Sequence, residues 1–279
     1  MPPTVLVLAA VTSVQFGAAL AKTLFDEIGA GGTVFVRVVA AAVVLVLIWR
    51  PRIGGRDHRD LALILAFALA LAGMNLAFYA SLDRIPLGIA VTFEFVGPLG
   101  VAVFGSRTAL DSVWVALAGA GILLLSGLGG GELDALGVAL ALTAGGFWAA
   151  YILLSVRVGR AFPGGAGLAL AMAVATLPLA PVGIAQAGGE LLVPSVLALG
   201  AAVGVMSSAI PYTLELEALR RMPAGTFGVL MSLEPAVAAL AGLVVLGEEL
   251  AGREVVAIML VVAASAGAAR GAKLAPRDA

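Results

Sequence analysis

The sequence predicts an all-α membrane protein of ten transmembrane helices, and three observations carry that prediction. Of the 279 residues, 62% are hydrophobic and only 12% are charged, whereas an ordinary globular chain is about one-quarter charged. With a mean hydropathy of +1.12, the chain has too few polar side chains to cover a water-soluble fold, so lipid must be its solvent. Charged loops and Gly/Pro clusters cut it into ten apolar segments, each near the ~20 residues that cross a bilayer. The basic residues then alternate from loop to loop, as ten crossings require.

The segments cover residues 4–25, 32–49, 61–82, 86–104, 111–128, 136–157, 166–186, 195–219, 225–246 and 253–270. The first has no basic leader region and is long enough to span, so it reads as a helix rather than a cleavable signal. The loops are short and leave no room for an extramembrane domain. Loops after even-numbered segments hold Arg50, Arg52, Arg56, Arg59, Arg107, Arg157, Arg160, Arg220 and Arg221, and the tail adds Arg270, Lys273 and Arg277. Placing both termini in the cytoplasm puts twelve of the sixteen Lys and Arg residues inside the cell, as expected of an inner-membrane protein. The opposite side has Lys22, Arg84 and Arg253 and is otherwise acidic, with Asp26, Glu27, Asp83, Glu132, Asp134, Glu190, Glu248, Glu249 and Glu254.

Composition excludes several classes. There is no cysteine, and the one histidine, His58, lies in a charged loop. Thiolate catalysis, Cys-ligated zinc, a Ser-His-Asp site and a His-rich metal site are therefore ruled against. No cofactor is expected, and a net charge of −1 predicts no nucleic-acid partner. An intramembrane enzyme lacks support, since neither HExxH nor GxSxG occurs.

An internal repeat organises the chain. Shifting residues 79–98 by 137 brings Arg84 onto Arg221, Pro86 onto Pro223, Gly88 onto Gly225 and Pro98 onto Pro235. Segments 3 and 4 thus echo segments 8 and 9. Each half has five helices, an odd number, so the second half enters from the opposite side. Residues 1–130 and 131–279 are expected to form two inverted-topology repeats, a construction common among secondary transporters.

The stretch GMNLAFYASLDRIPLGIAVTFEFVGPLGVAVF, with SSAIPYTLELEALRRMPAGTFGVLMSLEPAVAALAGLVVLGEEL, resembles the EamA-type drug/metabolite transporters. Within them it is most similar to the RhtA-type threonine/homoserine exporters, and FGAALAKTLF and FWAAYIL fit the same pattern. The resemblance implies two inverted five-helix repeats around a central cavity. It also implies efflux of a small amino acid from the cytoplasm by proton antiport. A related cargo, such as another amino acid, a nucleoside or an aromatic compound, is the alternative. Aromatics make up only 6% of residues, which favours a small hydrophilic cargo.

Polar residues at membrane depth locate the site, because a charge there is costly and faces protein or water. Glu94 lies mid-segment, four residues before Pro98, whose ring frees the Glu94 carbonyl. Carboxyl and carbonyl together could hold an ammonium group or exchange a proton; the bland alternative is a glutamate satisfied by Arg37 or by backbone. Glu234, before Pro235, aligns with Gly97 rather than Glu94 and so points elsewhere. Ser208, Tyr212 and Glu215 share a helix face beside Pro211, which frees the Ser207 carbonyl. Glu215 is a candidate proton relay or an interfacial glutamate, and Glu217 reads as interfacial. Thr12, Gln15, Ala19 and Lys22 form a stripe, as do Asn75 with Tyr79 and Trp148 with Tyr151 and Ser155. Gln15, Asn75, Tyr79, Glu94, Trp148, Tyr151, Ser208 and Tyr212 are the candidate substrate contacts, with Glu94 and Glu215 for proton coupling. Tyrosine and tryptophan also belong to interfacial belts. Lys22 is read as snorkelling outward, and Arg37 as a partner of acidic residues or a substrate contact. Gly200 and Gly204 form a GxxxG, and Ala116, Gly119, Ala120 and Gly121 form a second small-residue run, both suited to close helix approach. Pro98, Pro178, Pro181 and Pro235 are candidate kinks.

Overall fold

The computed structural model describes residues 1–52, 54, 57–104, 109–125, 133–219, 221–222, 227 and 230–271, and no strand occurs among them. Helix α1 (Pro3–Lys22) opens on a proline, whose missing amide costs nothing at a first turn. Helix α2 (Phe25–Trp49) starts earlier than residue 32, with Asp26 and Glu27 in its first turn, where the helix dipole favours acids. It bends at Gly29, whose φ of 68° is accessible to glycine at little cost. Beyond the bend, the Gly31 amide donates to Gln186 Oε1 at 2.7 Å.

Helix α3 (His58–Leu82) is capped by Asp57, which accepts from the Arg59 and Asp60 amides. The fourth segment is two helices, α4 (Leu87–Glu94) and α5 (Val96–Phe104). Next come α6 (Ala109–Leu125), α7 (Ala135–Ala161) and α8 (Ala166–Ala187), the last carrying Pro178 and Pro181 and ending in a 3₁₀ turn, Gly188–Leu192. The eighth segment is also divided: α9 (Pro194–Gly204), a π-turn (Val205–Ala209) and α10 (Ile210–Leu219). Helix α11 (Glu234–Ala241) runs into a second π-turn, Gly242–Leu246, and α12 spans Gly252–Gly271. Residues 126–128 of the expected fifth segment, and 225–226 and 228–229 of the ninth with Gly225, lie outside the described residues.

Among the described residues, six helical stretches are long and apolar enough to cross a membrane: Pro3–Lys22, Phe25–Trp49, His58–Leu82, Ala135–Ala161, Ala166–Leu192 and Pro194–Glu215. Leu87–Val101 and Glu234–Leu246 are shorter apolar helices. Leu47, Leu61, Leu65, Leu142, Leu177, Val244 and Met259 stand exposed on the outer faces, an arrangement that water penalises and lipid does not. This is a multi-pass membrane protein.

Helix α2 packs along α8, α3 along α7 and α8, and α6 along α12. Helix α1 lies against α10, the first π-turn and α11, while α4 contacts α7 and α11, α5 contacts α7, and α9 contacts α2. Among the described residues, two apolar clusters are larger than the rest. Val34, Val38, Leu45, Phe67, Leu71, Met172 and Leu179 fill the first. Leu82, Leu87, Ile89, Phe93, Ala238 and Ala241 fill the second.

Glycines set the closest approaches. A side-chain carbon on Gly204 would stand 2.7 Å from the Arg37 carbonyl oxygen and 2.8 Å from Ala40 Cβ. The GxxxG of α9 therefore works against α2 inside the chain. A carbon on Gly145 would stand 2.5 Å from the Glu94 carbonyl oxygen, whereas one on Gly146 meets nothing within 4 Å.

Ion pairs tie one face together. Lys22 does not snorkel into the interface: its Nζ meets Glu248 Oε1 at 2.6 Å, and Glu248 Oε2 accepts from the Leu87 amide at 2.8 Å. Arg84 meets Asp134 at 3.0 Å, and Asp134 caps α7 through the Gly137 amide at 2.7 Å. That amide first, and then Arg84, hold the Asp134 carboxyl below the ordinary aspartate range.

Two predictions arise. Gly145→Ala should destabilise the protein by about 1–3 kcal/mol through overpacking against backbone. Gly146→Ala should be neutral or stabilising by up to about 1 kcal/mol. Thermal unfolding in one detergent compares them. Because its pKa is depressed on folding, Asp134 stabilises fully above the unfolded value of about 3.9, and that contribution is lost as pH falls through the folded value. Asp134→Asn should flatten this acid limb of the stability profile, which a pH series of melts would register.

Candidate functional site

Two helix breaks define the middle of the molecule. The first falls at Phe95, between α4 and α5; the second falls at Ser232 and Leu233, between helical Met231 and α11. Under the shift of 137, Phe95 corresponds to Ser232. Pro98 and Pro235 each sit in the first turn of the helix after the break, where the lost amide had no partner to forfeit. Glu94 closes one half-helix and Glu234 opens the other, 7% and 4% exposed. Their positions differ by three residues in the repeat, yet the Glu234 carboxyl lies within electrostatic reach of Glu94 and of Glu215. The Glu94 carbonyl is covered by Gly145 of α7 rather than joining its carboxyl in one polar spot. The Glu94 side chain makes no hydrogen bond to any described residue, and Arg37 is within electrostatic reach of it.

Arg37, on α2, is the hub. It is 6% exposed, and its partners are neutral. Nη1 donates to Asn75 Oδ1. Nη2 donates to the Ser207 carbonyl at 3.2 Å and to Ser208 Oγ at 3.1 Å. The guanidinium carbon lies 5.2 Å from the centre of the Tyr79 ring, a cation–π distance. No carboxylate of the described residues is within ion-pair distance of Arg37, so it does not serve as a packing partner for acids. The geometry follows from the local sequence. Asn75 donates its amide back to the Leu71 carbonyl at 2.8 Å, which turns its oxygen to Arg37. Pro211 cannot donate to the Ser207 carbonyl, and the π-turn presents that carbonyl to the guanidinium. Gly17 lets α1 approach the same turn, and Ser13 Oγ donates to the Met206 carbonyl at 2.7 Å.

An aromatic wall adjoins the hub. Tyr151 stacks on Phe67 at 5.1 Å and lies 6.4 Å from Tyr212. Trp148 packs edge-on to Phe95 at 5.4 Å, and Tyr79 sits 5.9 Å from Phe25. Tyr212 is within electrostatic reach of Arg37, Glu215, Glu94 and Glu234 together. Tyr79, Asn75, Gln15 and Ser208 are buried, while Trp148, Tyr151, Tyr212 and Glu215 are half-buried.

The site thus assembles Asn75, Tyr79, Ser208, Tyr212, Tyr151, Glu94 and Glu215 from four segments. Gln15 is buried on α1 close to the π-turn contacts. Other residues of the expected stripes fall away from this centre. Thr12 is exposed, Ser155 donates to its own helix at Ile152, and Glu217 pairs with Arg221 one turn on. The sequence reading left Arg37 between a partner of acidic residues and a substrate contact, and did not single out the Ser207 side chain. The available signals were that Arg37 is the one base well inside a span rather than near its end, and that Gly200 and Gly204 let α9 close on it.

A multi-helix membrane protein with broken helices meeting at a buried polar centre is built as a transporter. The chain belongs to the EamA-like transporter family, whose match covers residues 135–270. Threonine/homoserine exporter RhtA of Salmonella typhimurium (strain LT2) is 44% identical over 95% of this chain and 90% of its own length. The protein of the same name from Escherichia coli (strain K12) is likewise 44% identical, with the same coverage. A solved crystal structure of a protein, 19% identical, shares the fold with a TM-score of 0.66 over 94% of this chain and 96% of its own.

Asn75→Leu should cost about 1.5–3 kcal/mol by leaving a buried guanidinium short of an acceptor, whereas Asn75→Asp retains the acceptor and should cost less. Detergent melts of both variants check this.

Proposed function

We propose that the protein is an inner-membrane exporter of threonine, homoserine or a closely similar amino acid, driven by proton antiport. The observation that carries the cargo is 44% identity over 95% of the chain to proteins named threonine/homoserine exporters. The chemistry of the centre suits it: Glu94 accepts an ammonium group or a proton, and hydroxyls and amides match a side-chain hydroxyl. Substrate and proton compete at Glu94, with Glu215 as relay, and that competition couples their fluxes.

Ten helices in two inverted repeats, residues 1–130 and 131–279, supply alternating access. The helix pairing supports this. Numbering segments one to ten, contacts 1–8, 4–6 and 3–7 become 6–3, 9–1 and 8–2 on adding five, and 2–7, 4–9 and 5–10 map onto themselves. The coincident breaks at Phe95 and Ser232 support it too. With both termini cytoplasmic, the half-buried Tyr151, Tyr212 and Glu215 face inward. The Lys22–Glu248 and Arg84–Asp134 pairs close the outer side.

Everted vesicles test the reading. Labelled threonine and homoserine should accumulate with an imposed proton gradient, and Glu94→Gln should lower this at least about tenfold while the protein remains folded. Unchanged accumulation in that variant would remove Glu94 as the coupling group. No accumulation by the wild type above control vesicles would remove the cargo.

A further inference from the structure

We infer that Arg37 is the anchor for the substrate's carboxylate, with the Tyr79 and Ser207 hydroxyls completing the anion site. This deepens the amino-acid reading above and rests on it.

Arg37 is a full positive charge held at membrane depth by neutral acceptors. Burying an ion without a counter-ion costs several kcal/mol even after relaxation. The surroundings mitigate that cost only in part. A guanidinium offers five N–H donors; three are used, by Asn75, the Ser207 carbonyl and Ser208. The Nε–H is buried without a partner. The Tyr79 and Ser207 hydroxyls are likewise buried without a partner, and the Tyr79 hydroxyl lies beside both the Ser207 side chain and Arg37. Buried polar groups are ordinarily paired, and three unpaired ones converging on a single cation form a donor-rich, electropositive locus. An anion that accepts several hydrogen bonds at once answers it, and a carboxylate does so with two oxygens.

The rest of the centre determines which carboxylates fit. Glu94 is within electrostatic reach of Arg37 but not bonded to it. A fixed cation and a carboxyl standing apart are complementary to a zwitterion, whose carboxylate turns to Arg37 and whose ammonium turns to Glu94. Recognition then falls on the groups all α-amino acids share, and the side chain is left to the Tyr151–Tyr212 wall. The locus is also assembled late in space: α2 supplies Arg37, α3 supplies Asn75 and Tyr79, and the π-turn between α9 and α10 supplies Ser207 and Ser208. Seating a carboxylate there would draw three elements from both halves onto one ligand.

The test compares threonine with threonine amide, which keeps the ammonium and side chain but carries no carboxylate. Dissociation constants are measured by ligand-induced thermal stabilisation of the full-length protein in nanodiscs. Wild type should bind threonine on the order of 100-fold tighter than the amide. Arg37→Gln should weaken threonine by a similar factor and bring the ratio near one. Arg37→Lys, which keeps the charge without the planar fork, should fall between. A wild-type ratio near one overturns the assignment and needs no variant to fold. So does an Arg37→Gln protein that keeps the wild-type ratio while both ligands weaken together, the signature of a structural role. If wild type binds neither threonine nor homoserine, the cargo reading fails alone. The acid-to-amide ratio for any other α-amino acid that does bind then decides on Arg37, and binding by none of them overturns both.

Discussion

The buried Arg37 charge is the constraint on which the centre of this protein depends. A guanidinium can be placed within a bilayer only if the fold brings acceptors to it, and here they come from two separate elements, α3 and the π-turn. Asn75 gives an amide oxygen, the π-turn gives a freed carbonyl and a hydroxyl, and Tyr79 gives the face of its ring. Each requirement propagates. The π-turn must lie close to α2, so α9 carries Gly200 and Gly204 where it crosses Val36 and Arg37. It must also lie close to α1, so Gly17 faces Ser207. The small residues of these helices follow from the position of one large one.

The carboxyls obey a different logic. Glu94 and Glu234 stand at helix breaks, one at the end of a half-helix and the other at the start. A break frees backbone polar groups at a depth where an uninterrupted helix would offer none. It is tolerated because neighbouring protein rather than lipid covers it, and Gly145 of α7 provides that cover at Glu94.

Much of this was legible in the sequence. The apolar segments, their order and the proline positions are local properties that hydropathy and turn chemistry report directly. So was the freed Ser207 carbonyl, since a proline four residues later dictates it. Glu94, Tyr79, Ser208 and Tyr212 were found because polar groups at membrane depth are few. The remainder needed three dimensions. Lys22 reads as an exposed terminal lysine until Glu248, 226 residues away, is brought to it. Arg37 reads as a counter-ion for acids, because that is the common solution, and nothing local says that its partners are neutral. Register in the repeat places Glu234 away from Glu94, but carboxyl side chains reach across a three-residue offset. The divided fourth and eighth segments were legible only as proline kinks, since a π-turn leaves no compositional mark of its own.

The contact between Arg37 and the Ser207 carbonyl also bears on how the chain is made. The two residues are 170 positions apart, and Asn75, the nearest of the guanidinium's partners in sequence, is 38 positions on. At ribosomal speeds of about 5–20 residues per second, the π-turn emerges roughly 10–30 s after α2. Throughout that interval the second helix carries a cation that the finished protein has not yet sheltered. Insertion of the early helices therefore has to proceed with that charge held by Asn75 and the Tyr79 ring of α3 or still in contact with water at the insertion machinery. The second half, through the π-turn, completes the shelter of a charge that the first half carries.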